Sequence, residues 1–229
     1  MTAPLAMAPD PLAALAEPAR WLLTRVAPDE PAMAFVRPDL ALEQLFDTWM
    51  QQEQVPSAIR LLAGVMPSRE SVWWAWVSAR HATQMVGGAA PTAAAHKAIA
   101  AVEQWIVRPD DDARRAAWDA GNAAGLDTPI GMVSAAVFLS GATVGPSSLP
   151  AVPPPPGVVP PLVAGVVTLA AAANADAELV GPTLAAFAAQ GLEIIKRLGG
   201  WDAALASAYE RHQRAVVEYE RVTKSPTAK

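Results

Sequence analysis

The chain has 229 residues, 52% hydrophobic and 17% charged, which supplies enough apolar mass for a packed core and excludes a disordered chain. Its net charge is −5 and its pI about 5.2, with no basic block, so neither nucleic acid nor an anionic membrane surface is an expected partner. Cysteine is absent; this excludes disulfides, thiolate metal sites and a Cys nucleophile, and fits a cytoplasmic protein.

Alanine makes up roughly a fifth of the chain and favours close-packed helices. Residues 1–38 are Ala/Pro-rich and carry no basic residue ahead of their first apolar positions, so they do not read as a secretory signal. One periodic piece, Leu12-Leu15-Ala19-Leu22/Leu23-Val26, predicts a short amphipathic helix. Pro28, Pro31 and Pro38 interrupt the chain beyond Val26, and the segment is expected to be a loosely attached, partly flexible arm.

Residues 39–223 read as a single all-helical domain. Asp39 is the expected N-cap for a helix through Leu42, Leu45, Phe46, Trp49 and Met50. Pro56 starts the next, with Ile59, Leu62 and Met66 on one stripe and Leu61 and Val65 beside it, ending near Pro67. Ser68 then caps a helix containing Val72-Trp73-Trp74-Ala75-Trp76-Val77, closed by Gly87-Gly88. Its indoles project about 100° apart per residue, so it should be central and surrounded by neighbours.

Thr92–Val107 is the following helix. Pro109 and Asp110-Asp111-Asp112 open another, where acids suit the positive helix N-terminus; it closes at Gly125. Thr128-Pro129 starts Ile130–Ser140. Pro146–Pro161 should be an extended crossover. Leu162–Ala173, Glu178–Leu198 and Trp201–Thr223 complete the domain, with 224–229 as a frayed tail. The expected fold is all-α, with eight or nine helices in an irregular bundle or a short helical-hairpin array.

Thr128 to Ala175 contains no Asp, Glu, Lys or Arg. Its two apolar runs, Pro129–Val144 and Val158–Ala173, are short of the roughly 20 residues a spanning helix needs, and no Lys/Arg cluster flanks them. A buried helix pair is expected. The rival is a membrane-inserting hairpin over 129–173.

No catalytic constellation appears. His81, His96 and His212 show no metal-ligand spacing, no G-x-S-x-G elbow exists, and Gly87-Gly88 and Gly199-Gly200 lack a phosphate-loop lysine. No cofactor or metal is therefore expected. An enzyme site assembled from distant residues around His81, Arg80 and Glu70 is the catalytic alternative. Eight tryptophans outnumber Phe and Tyr together, a bias that suits contact surfaces. Trp73, Trp74 and Trp76 do not fit one core face easily. Burial of all three is the expected arrangement; if one reaches the surface, it is Trp74, which shares a face with Ser78 and His81. Candidate protein-binding residues are Trp73, Trp74, Trp76, Arg80 and His81, together with Pro153, Pro154, Pro155 and Pro156, a run that serves either as a strap or as a ligand for an aromatic groove.

Pro67-Ser68-Arg69-Glu70-Ser71-Val72-Trp73-Trp74-Ala75, Gly125-Leu126-Asp127-Thr128-Pro129 and Leu149-Pro150-Ala151-Val152-Pro153-Pro154-Pro155-Pro156 together resemble an uncharacterised bacterial helical domain family found near type VI secretion genes. The resemblance covers about residues 40–200. It implies a helical domain of unknown activity with a secretion-linked role, and no functional residues carry over from it. The expected function is non-enzymatic: an accessory, adaptor or chaperone-like component that binds another protein, such as a secretion-system component or an effector.

Overall fold

The computed structural model describes residues 11–85, 91–174 and 176–224. Gly87-Gly88 and residues 225–229 of the expected tail lie outside the described residues. The fold is an all-α multi-helix bundle, and the described residues form eleven α-helices, more than the eight or nine expected.

A 3₁₀ turn, Pro11–Ala14, precedes α1 (Ala19–Val26) and the one-turn α2 (Glu30–Met33). Residues 11–38 are not the loose arm expected from their prolines. Leu15, Leu22, Leu23, Val26, Ala32 and Val36 are buried, and α1 packs against α4 (Val55–Val65). The prolines shorten the local helices, but burial of an apolar face does not require long ones. Two polar ties complete the docking: the Trp49 indole donates to the Ala32 carbonyl at 2.9 Å, and Arg60 pairs with Asp29 at 2.7 Å.

The helix carrying Trp49, α3 (Leu42–Gln51), starts three residues after Asp39. Its cap is Ala41, whose own N–H donates to the Gln44 side chain at 3.3 Å, the reverse half of a capping box. In α4 the predicted stripe Ile59, Leu62 and Met66 is buried, with Leu61 and Val65.

The tryptophan helix, α5 (Ser68–Met85), packs against α9 (Val159–Ala172), α8 (Pro129–Leu139) and α6 (Ala93–Val107), the central position its indoles imply. Trp74 is 0% exposed, a correction to its choice as the indole that would reach the surface. Its indole donates to the Phe187 carbonyl of α10 (Val180–Arg197) at 3.0 Å. Gly191 leaves the room: a Cβ there would lie 3.0 Å from the Trp74 ring. Ser78 does not draw that face to water, because its hydroxyl donates to the Trp74 carbonyl one turn back. Trp76 is also buried and donates to the Ile99 carbonyl at 3.2 Å. Trp73, at 40% exposure, is the indole at the surface, so the three are not all buried.

Short-range signals place the next helices. Thr92 caps α6, accepting from Ala95 N–H at 3.1 Å. Asp110 caps α7 (Asp111–Ala124), accepting from Ala113 N–H at 2.8 Å, and Thr128 caps α8, accepting from Gly131 N–H at 3.1 Å. Asp111 clamps Arg114 at 2.5 Å and Arg115 at 2.7 Å, and these hydrogen bonds, Arg115's first, hold its carboxyl below the usual carboxylate range. The α6–α7 hairpin covers α8.

The charge-free stretch folds as a buried pair. α8 and α9 pack on each other and on α5, and Val133, Ala136, Val137, Val163, Val166 and Val167 are fully buried. At about 1.5 Å per residue they span roughly 16 and 21 Å, against about 30 Å for a hydrocarbon core. Among the described residues no helix is long and apolar enough to cross a membrane. Pro160 and Pro161, expected in the crossover, lie in the first turn of α9, where a missing N–H costs nothing. After a 3₁₀ turn, Ala177–Leu179, α10 and then α11 (Trp201–Lys224) close the chain, the latter containing Lys224 of the expected tail.

Candidate functional site

A cleft of about 920 Å³ opens where α1, the end of α4, the 153–161 segment and α11 meet. Loop 143–152 delivers the chain to it. The Thr143 hydroxyl accepts from Gly145 and Val152 N–H, the Val144 N–H donates to the Val152 carbonyl at 2.8 Å, and Arg115 donates to the Gly145 carbonyl at 2.9 Å. Pro153–Pro156 then run along one wall as a strap. Proline keeps this wall extended without a ladder partner.

Arg25 of α1 donates to the Pro156 carbonyl at 2.7 Å and so ties the N-terminal helix to the strap. The contact depends on Gly157. Its φ is +80°, and a Cβ there would fall on the Arg25 guanidinium.

The opposite wall is α11. Arg211 donates to the Val65 carbonyl at 3.0 Å and to the Ser207 hydroxyl at 2.6 Å. Its neighbour His212 lies against the Trp21 ring, centroids 5.1 Å apart, and Trp21 also meets the edge of Tyr209 at 5.3 Å. Burial, and secondarily the Arg25 charge, lower the His212 pKa from its ordinary value of 6.5. The Arg25 and Arg211 pKa values are also lowered, in each case first by burial. Arg60, Leu22, Val26 and Glu218 complete the lining that bears on the chemistry.

Of the residues expected to bind a partner, Pro153–Pro156 line this cleft. Trp73, Trp74, Trp76, Arg80 and His81 do not, so the structure separates the two expected contact elements. Arg80 lies over the Trp76 ring at 4.6 Å, and His81 is half-buried with its ring edge-on to Phe187 at 5.5 Å. Neither they nor Glu70 line the large cleft or the smaller hollow of about 410 Å³ beside it. The acids of that hollow are engaged, Asp110 with a backbone N–H and Arg108, and Asp111 with two arginines.

Sequence reasoning missed Trp21, Arg25, Arg60, Arg211 and His212. Local spacing groups some of them on one helix face, Trp21 with Arg25 at i,i+4 on α1 and Arg211 with Ala215 and Glu218 at i,i+4,i+7 on α11, but does not show that the two faces meet.

The Ser140 hydroxyl on the cleft wall donates to the Val137 carbonyl, and both Glu218 oxygens accept from Arg221. Fold and cleft together define an all-α protein with a strap-walled cleft. The chain belongs to the family of unknown function DUF6931, whose model matches residues 45–195, about two thirds of it. The match contains all three motifs that carry the sequence resemblance, whereas α1 and α11 flank it. No curated protein and no solved structure matches the chain.

Proposed function

We propose that this chain is a non-enzymatic binding protein that takes a segment of another protein into the strap cleft. One observation carries the reading: an open cleft of about 920 Å³, near the upper end for ligand sites, is walled by an extended proline run and by two docked flanking helices. A rigid extended wall suits an extended chain laid alongside it. The role is that of an accessory, adaptor or chaperone-like component working in the cytoplasm. The sequence resemblance extends the proposal to type VI secretion, with a secretion-system component or effector as partner.

The test fills the cleft without disturbing the core. Ala215 lines it and is solvent-exposed, so Ala215→Trp adds bulk at little cost to folding. A photo-crosslinking residue at position 151 on the strap side should capture a specific protein in cells, and Ala215→Trp should abolish capture. The same residue at Trp73, on the far helix, should capture nothing. Capture at position 73 alone, or indifference to Ala215→Trp, refutes the cleft as the binding surface.

A further inference from the structure

The cleft gathers cationic side-chain hydrogen-bond donors. Arg25 spends one N–H on the neutral Pro156 carbonyl. Arg211 spends its own on the neutral Val65 carbonyl and Ser207 hydroxyl. Among the described residues neither guanidinium has a carboxylate in ion-pair contact. Arg60 does, through Asp29, yet its Nε is buried without an acceptor among the described residues. The Trp21 indole nitrogen is in the same state. Buried donors are almost always paired, so each unpaired one calls for a partner. Of the four buried side-chain polar atoms lacking one among the described residues, these two belong to cleft-lining residues, and both are donors.

Charge points the same way. The chain as a whole is at −5, yet the cleft gathers three arginines. Its one lining carboxylate among the described residues, Glu218, is already held by Arg221. Burial is the first cause of the lowered Arg25 and Arg211 pKa values, and at Arg211 the Glu70 charge offsets it only in part. The other walls are apolar: Leu22, Val26, Leu139 and the strap prolines.

We infer that the segment this cleft receives is an acidic peptide, with Asp or Glu side chains set between apolar residues. Its carboxylates sit between Arg25 and Arg211, where a guanidinium fork binds carboxylate through paired N–H donors. Its apolar side chains lie on the strap and α1. This rests on the protein-binding reading above and adds the chemistry of the partner.

The experiment selects a phage-displayed library of random linear peptides on the full chain, then measures the synthetic winners by fluorescence polarisation. The expected result is a set rich in Asp and Glu between apolar residues. Their affinity should fall about tenfold or more in Arg25→Gln/Arg211→Gln and weaken with added salt. Because Arg25 and Arg211 also tie helices together, an Arg25→Lys/Arg211→Lys chain, which keeps the charge without the fork, is measured beside it and should bind more tightly than the Gln pair but less tightly than the natural chain. Winners that are neutral or basic, or that ignore the Gln pair while still blocked by Ala215→Trp, overturn the acidic specificity and leave the peptide cleft standing. A selection that yields nothing, with octanoate or single-stranded RNA instead quenching the intrinsic tryptophan fluorescence, overturns both.

Discussion

Trp74→Phe should destabilise the protein by about 1.5–2.5 kcal/mol. The substitution keeps an aromatic ring but removes roughly 40 Å³ from a fully buried site, worth about 1 kcal/mol at about 24 cal/mol per Å³ of residual cavity. It also deletes the 3.0 Å hydrogen bond from the indole to Phe187, worth about 0.5–1.5 kcal/mol. That carbonyl lies inside α10 and keeps its ladder donor, so the full cost of an orphaned buried acceptor does not apply. For a chain of this size the loss lowers Tm by about 3–10 °C. Thermal unfolding followed by circular dichroism at the helix band measures it. Trp73→Phe, at the 40% exposed neighbour, is the control and should change stability by no more than about 0.5 kcal/mol. If Trp73→Phe proves the more costly of the two, the phase assigned to α5 is wrong.

Leu22→Ala should cost about 2–5 kcal/mol in urea titration, the penalty of a core leucine, although it lies in the Pro-rich arm; a loss below about 0.5 kcal/mol would mean the arm is undocked in solution. Gly157→Ala should cost about 1–3 kcal/mol from its left-handed φ and also displace Arg25, seen as a weaker affinity for whatever the cleft binds. The His212 imidazole should titrate by NMR below 6.5, and Arg25→Gln should move its midpoint upward. Because the unfolded chain takes that proton first, stability should fall as pH drops from about 6.5 toward the folded value and then level off, a slope that His212→Gln removes. Asp111 has the opposite sign of linkage: its folded pKa lies below the unfolded one, so its contribution is present above about pH 4 and lost as acid protonates it. Asp111→Asn should therefore weaken the protein at pH 7 and matter less at acid pH, by about 1 kcal/mol or less because the side chain is half-exposed.

Helix boundaries were legible where their cause is local. Thr92, Asp110 and Thr128 each cap the backbone three residues on, and that arrangement is written in adjacent letters. The choice among Trp73, Trp74 and Trp76 was not local. Ser78 looked like a mark of the solvent side, but its hydroxyl is satisfied by its own helix, so it carried no information about burial. Arg69 and Trp73, four apart, are both exposed and share the outer face of α5. The arm was misread for a related reason: prolines set the length of a helix, whereas burial of Leu22 and Leu23 is decided by α4, which lies some thirty residues further on. The cleft was out of reach altogether. Its cations come from α1, α4 and α11, and no pattern within one segment announces that they share a hollow.

Arg25 reaches a carbonyl 131 positions downstream, and Arg211 one 146 positions upstream. A chain emerging from the ribosome therefore displays the strap long before the opposite wall exists. The cleft gains its second wall only when α11 follows the core it packs on. For the same reason a single proteolytic cut before Trp201 would leave the family-matched core in one piece and remove a whole wall of the cleft.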